Sequence, residues 1–239
     1  MRYWKIDVAR GIAVTLMIVY HFLFDIYYFK DYTQPFYLFA GMIACIFIAI
    51  SGACLSISYS RGGRFLKFSK RGVKLLSLGI LITVISFLLL RRGVIIFGIL
   101  HFFGISSFLI YPFLKYLRNN LSYLLFGILM IVAGVFLLNF RVDFYHLIWL
   151  GFMPNGFNSF DYFPILPWFG IMLIGVFLGR KLYPKGKRNF KVSSAKGRVV
   201  DLFRFLGRNS LTIYFIHQPI IISVLFLLGH SELLSVLNF

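Results

Sequence analysis

Residues 7–25, DVARGIAVTLMIVYHFLFD, decide how the rest of the chain reads. An apolar stretch, 11–20, stands between Asp7 and Arg10 at one end and His21 and Asp25 at the other. With its flanks it is long enough, at ~1.5 Å per helical residue, to cross a ~30 Å hydrocarbon core. Ionisable side chains inside such a span cost several kcal/mol, so each faces protein rather than lipid and is a functional candidate. Asp7 and Arg10 are three residues apart and His21 and Asp25 four, so each pair shares a helix face. Arg10 and His21 lie about 16 Å apart along roughly the same stripe. A secretory signal has an uncharged apolar region followed by a small-residue cleavage site; this segment has neither and is expected to be retained.

Working outward, the composition agrees with a membrane chain. Of 239 residues, 60% are hydrophobic, 20% aromatic and only 13% charged, against roughly a quarter charged in a soluble domain. Seven apolar runs are long enough to span: 9–29, 36–59, 73–90, 94–114, 121–140, 164–182 and 209–229. The expected fold is all-α, a polytopic membrane helix bundle forming a single domain over 1–239. Cys45 and Cys54 fall on one helix about 180° apart and cannot pair.

The net charge of +18 would suggest nucleic acid in a soluble chain, but its distribution reads as topology. With the amino terminus in the cytoplasm, 21 of the 25 basic residues lie inside: those at 2–10, 61–74, 115–118 and 180–208. Five of the seven acids lie outside, Asp25, Asp31, Asp143, Asp161 and Glu232. The positive-inside rule therefore orients the chain N-in, in the plasma membrane, without nucleic acid. The 183–208 stretch reads as the longest inner loop, and 141–163, RVDFYHLIWLGFMPNGFNSFDYF, as the outer one.

A histidine one turn from a carboxylate is what a general base needs, because the acid fixes the tautomer and stabilises the imidazolium. His21 with Asp25 fits that pattern, and His101, in FGILHFFG, is expected at a similar depth. His217 lies mid-span before Gln218 and Pro219, which frees the carbonyl of Phe215. The histidines show no HxxxH spacing and no CxxC accompanies them, so no metal is expected. No P-loop, GxGxxG, GxSxG or zincin motif occurs. Read on chemistry alone, the intramembrane groups fit either an enzyme or a proton-coupled transporter of a small polar substrate.

Four segments in register, DVARGIAVTLMIVYHFLFD, FGILHFFGIS, DYFPILPWFGIMLIGVFLG and GRNSLTIYFIHQP, resemble the heparan-alpha-glucosaminide N-acetyltransferase catalytic-domain family. The spacing of Arg10, Gly11 and His21 is also similar to the motif of the acyltransferase type-three membrane enzymes. The resemblance implies acyl transfer across a membrane, from cytoplasmic acetyl-CoA to an amine or hydroxyl of a sugar or glycan outside. His21 and Arg10 match the histidine and arginine of the Arg-to-His motif. A lysosomal member carries its proposed catalytic histidine just after the first span, where this chain reads Tyr28, Phe29, Lys30, Asp31, Tyr32.

The site expected on these grounds has His21, Asp25 and His101 as catalytic residues, with Asn209, Ser210 or Tyr214 as oxyanion partner. Arg10, Arg71 and Arg208, at or beside span ends, would hold the donor's phosphates. Asp161, Trp168 and His217, with neighbours in the outer loop, would bind the acceptor. Expected partners are acetyl-CoA, the glycan acceptor and membrane lipids; a homo-oligomer is left open.

Overall fold

The seven apolar runs fold as seven helices, and an eighth, short helix joins them. The structure, a computed structural model, describes residues 3–28, 34–90, 93–190 and 197–229. Its helices are α1 (Trp4–Tyr28), α2 (Gln34–Ser60), α3 (Phe65–Leu89), α4 (Ile99–Tyr116), α5 (Asn120–Leu137), α6 (Ile165–Leu182), α7 (Arg198–Arg208) and α8 (Ser210–Leu227). All but α7 are long and apolar enough to cross a membrane. The only strands among the described residues are β1 (Arg141–Val142) and β2 (Met153–Pro154), paired parallel in the 138–164 connection. The protein is an all-α polytopic membrane protein.

Three of the expected starts move by five residues or more, and α1 begins at Trp4 rather than 9. Helix α3 starts at Phe65, eight residues before the apolar run, because helical hydrogen bonding continues under Lys67, Lys70, Arg71 and Lys74. The aliphatic stems of such residues can lie along the helix while their charges reach headgroups. Helix α4 starts at Ile99 rather than 94. Gly93 has φ of 76°, open to glycine at no steric cost, and Gly98 is extended, so 93–98 runs as non-helical chain. A further departure is α7, a helix inside what the sequence reads as a hydrophilic loop. Cys45 and Cys54 are both free thiols.

The chain divides into two compact units, 1–50 with 191–237, and 51–190 with 238–239. In the first, α1 packs against α7 and α8 around Ala13, Val14, Met17, Ile221 and Leu225. In the second, α3 packs on α4 and α5 on α6, over Phe68, Leu75, Phe102, Ile110, Phe169 and Met172. Gly127 and Gly170 bring α5 and α6 together: a Cβ on either would press on the other's carbonyl oxygen. Such small-residue approaches suit helices in lipid, where apolar side chains gain nothing by leaving the solvent. Leu125, Leu129, Val132 and Phe136 correspondingly face outward from α5.

Candidate functional site

Helix α1 carries two polar stations in the first unit. At its start, Asp7 is buried and accepts from Nε of Arg208 on α7 at 3.4 Å. Arg10 follows three residues on, half-buried. The two helices cross here at backbone contact. A Cβ on Gly11 would strike the carbonyl oxygen of Phe203, and one on Gly207 that of Asp7. The glycine beside Arg10 is thus explained by the crossing.

The second station is near the other end of α1. The Nδ1–H of His21 donates to the carbonyl of Met17 at 2.9 Å, leaving Nε2 as the nitrogen with the lone pair. Asp25 is buried and accepts instead from Nε2 of Gln218 on α8 at 2.8 Å. The carboxylate one turn away is therefore not what orients His21. Helical side chains tilt toward the N-terminus, so the His21 ring leans back to the i−4 carbonyl and away from Asp25. His217 contacts His21 edge to face, ring centroids 4.6 Å apart. Its Nδ1–H donates to the Tyr214 carbonyl at 2.6 Å. Its Nε2 and the Oε1 of Gln218 are buried acceptors with no donor. Such groups are costly to leave unpaired. The seam of α1 and α8 thus presents hydrogen-bond acceptors that an N–H or O–H group could satisfy.

His101 belongs to the second unit. Its Nδ1 accepts from the backbone N–H of Gly98 at 3.3 Å, and Nε2–H faces Thr83 Oγ1 at 3.4 Å. The Thr83 hydroxyl donates to the Ile95 carbonyl at 2.6 Å, and Ser86 Oγ accepts from the Ile95 N–H at 3.1 Å. Asp161 joins the cluster through Oδ2, which accepts from the Ile99 N–H at 3.0 Å. His101 and Asp161 thus serve orphan donors at the first turn of α4, and Thr83 and Ser86 satisfy the extended chain before it.

The 138–164 connection closes on the same unit. Phe160 and Phe163 donate backbone bonds to Gly93 and Phe97, and Trp168 packs on Phe163 with centroids 4.7 Å apart. Tyr162 donates to the Ile148 carbonyl at 2.8 Å, and burial pushes its phenol up to about 12, so it stays neutral. Asn155 bonds Asp143 at 2.6 Å.

At the basic end of this unit, Arg71 donates to Ser51 Oγ at 2.8 Å. Arg61 donates twice to the Gly186 carbonyl, and Arg180 bridges Tyr123 and the Arg118 carbonyl. Several basic residues there hold helix ends together.

Of the expected site residues, His21, Asp25 and His217 converge at one seam, and Arg208 pairs with Asp7 at the start of α1, three residues before Arg10. His101 and Asp161 converge in the other unit, which also holds Trp168 and Arg71. Of Tyr28 to Tyr32, the stretch where a lysosomal family member carries its proposed catalytic histidine, Tyr28 ends α1 and the rest lie outside the described residues. Sequence reasoning missed Gln218 as Asp25's partner, although a polar residue beside His217 within a span was a signal. It also missed Thr83, Ser86 and Gly207, for which nothing local signals a role.

The family model described as heparan-alpha-glucosaminide N-acetyltransferase, catalytic, matches residues 2–219. No curated protein and no solved structure matches the chain significantly. A match running from the start of α1 through His217 and Gln218 takes in both stations of α1 and the first turn of α4: the chain belongs to the heparan-alpha-glucosaminide N-acetyltransferase catalytic family, as a multi-pass membrane acetyltransferase.

Proposed function

We propose that this single-domain protein, in the plasma membrane with its amino terminus inside, moves an acetyl group from cytoplasmic acetyl-CoA to an amine or hydroxyl of an external sugar or glycan. His21 is the general base. The observation that carries this reading is its tautomer: Met17 holds the proton on Nδ1, so Nε2 offers its lone pair beside the unpaired acceptors of His217 and Gln218. The acceptor's nitrogen or oxygen attacks the thioester carbonyl and its proton passes to His21 Nε2. The C–S bond then breaks and coenzyme A leaves as the thiol, taking that proton.

In this reading Asp25, tied to Gln218, keeps α1 and α8 in register around the base, and His217 receives the acceptor's N–H or O–H. Arg10 serves the donor's phosphates, with Arg208, paired to Asp7, at the same end of α1. His101 and Asp161 act as positioning residues for α4. The test is release of coenzyme A thiol from acetyl-CoA by purified protein, with and without glucosamine. Acceptor-dependent release by the parent chain, absent in His21→Ala, supports the reading; equal release by both contradicts it.

A further inference from the structure

Helix α7 has one broad apolar side, and packing explains only part of it. Phe203 and Gly207 face α1 at the crossing with Gly11 and Asp7. Val199, Leu202 and Phe205, spaced i, i+3 and i+6, continue that side around the helix away from the crossing and are 66%, 54% and 62% exposed. The remaining side carries Asp201 and Arg204, paired at 2.9 Å, and Arg208, paired with Asp7. Three large apolar side chains side by side on a polar helix are unusual for a surface in water.

The helix is also tethered to the membrane. Only Asn209 separates Arg208 from Ser210, the first residue of the spanning helix α8. The chain through α7, residues 180–208, holds ten basic residues and one acid, Asp201, which Arg204 already engages. Arg198 opens the helix on the exposed side. A helix with a charged face, an apolar face and low overall hydrophobicity lies in the interface plane, and basic charge draws it to anionic headgroups.

We propose that α7 is an in-plane helix docked on anionic phospholipid. Val199, Leu202 and Phe205 enter the acyl boundary of the leaflet from which α8 departs, and Arg198 meets the headgroups. Through the Gly11–Gly207 crossing and the Asp7–Arg208 pair, this docking fixes where the start of α1 sits. The inference does not depend on acyl transfer.

The test is spin-label accessibility in the full chain, in nanodiscs of phosphatidylcholine with and without phosphatidylglycerol. Val199→Cys, Leu202→Cys, Phe205→Cys and Asp201→Cys are labelled singly in a Cys45→Ser, Cys54→Ser background. The expected result is that labels at 199, 202 and 205 collide more with oxygen than with a nickel chelate, that 201 shows the reverse, and that phosphatidylglycerol deepens the contrast. Nickel access at 199, 202 and 205 would place the face in water. Shielding from both reagents would mean a second copy or another protein covers it. Either result overturns the proposal. A photoactivatable phosphatidylglycerol applied to the unmodified protein should label 198–208 more than its phosphatidylcholine counterpart; equal labelling removes the anionic headgroup from the account.

Discussion

His21 and Asp25 were legible as candidates because an apolar run makes a polar residue conspicuous, yet their partners were not. The sequence offers Asp25 to His21 at i+4, whereas the fold gives Asp25 to Gln218, 193 positions away, and His21 to its own helix backbone. Two predictions follow at this scale. His21→Ala should lower acetyl transfer by ~10² to 10⁴ while leaving expression and melting in detergent near the parent, since removing a positioned proton acceptor costs that much in rate. Retention of most of the rate would take the base role from His21. Gln218→Leu should leave the buried Asp25 without its donor and destabilise the protein by about 1–3 kcal/mol, read as a lower melting temperature. Gln218→Glu protonated at low pH should restore the bond in part. An unchanged melting temperature in Gln218→Leu would show that the seam does not rely on this pair.

At the scale of elements, hydropathy located every span but said little about what joins them. Helix α7 was hidden because four charged residues among its eleven keep it from reading as a span, and the crossing with α1 depends on Gly11 and Gly207, remote in sequence. His101 and Asp161 looked like site chemistry because a charge or imidazole near a span end is the same letter whether it meets substrate or an orphan N–H. The α4 geometry separates these uses. Asp161→Ala removes a carboxylate that caps the first turn and should cost ~0.5–2 kcal/mol, whereas Asp161→Asn keeps an acceptor oxygen and should cost much less. If Asp161 instead binds acceptor, the Asn variant should raise the acceptor KM with no change in melting; that split decides the matter. Gly11→Ala drives a methyl into the Phe203 carbonyl and should loosen α7 from α1, read as faster proteolysis or deuterium uptake within 198–208. Uptake equal to the parent's would mean the crossing relaxes without consequence.

For the whole molecule, the charge pattern predicts sidedness. Residues 61–74, 115–118 and 180–188 carry thirteen basic residues and no acid, while Asp143 and Asp161 lie in the 138–164 connection. Lys185→Cys should therefore react with an impermeant maleimide only after cells are opened, and Asn155→Cys from outside. The reverse pattern would invert the proposed direction of transfer. Overall class and family were readable because seven apolar runs and four ordered motifs extend along the chain. Which polar residues act together was not, since that depends on how α1 meets α8 and how the 138–164 connection caps α4. The central claim is vectorial acyl transfer through His21, and the most direct measurement uses proteoliposomes of known orientation, with radiolabelled acetyl-CoA on the basic side and glucosamine on the other. The account predicts acetylated amino sugar on the far side with the parent chain and none above background with His21→Ala. Product formed only when donor and acceptor share a side, or formed equally by His21→Ala, would contradict it.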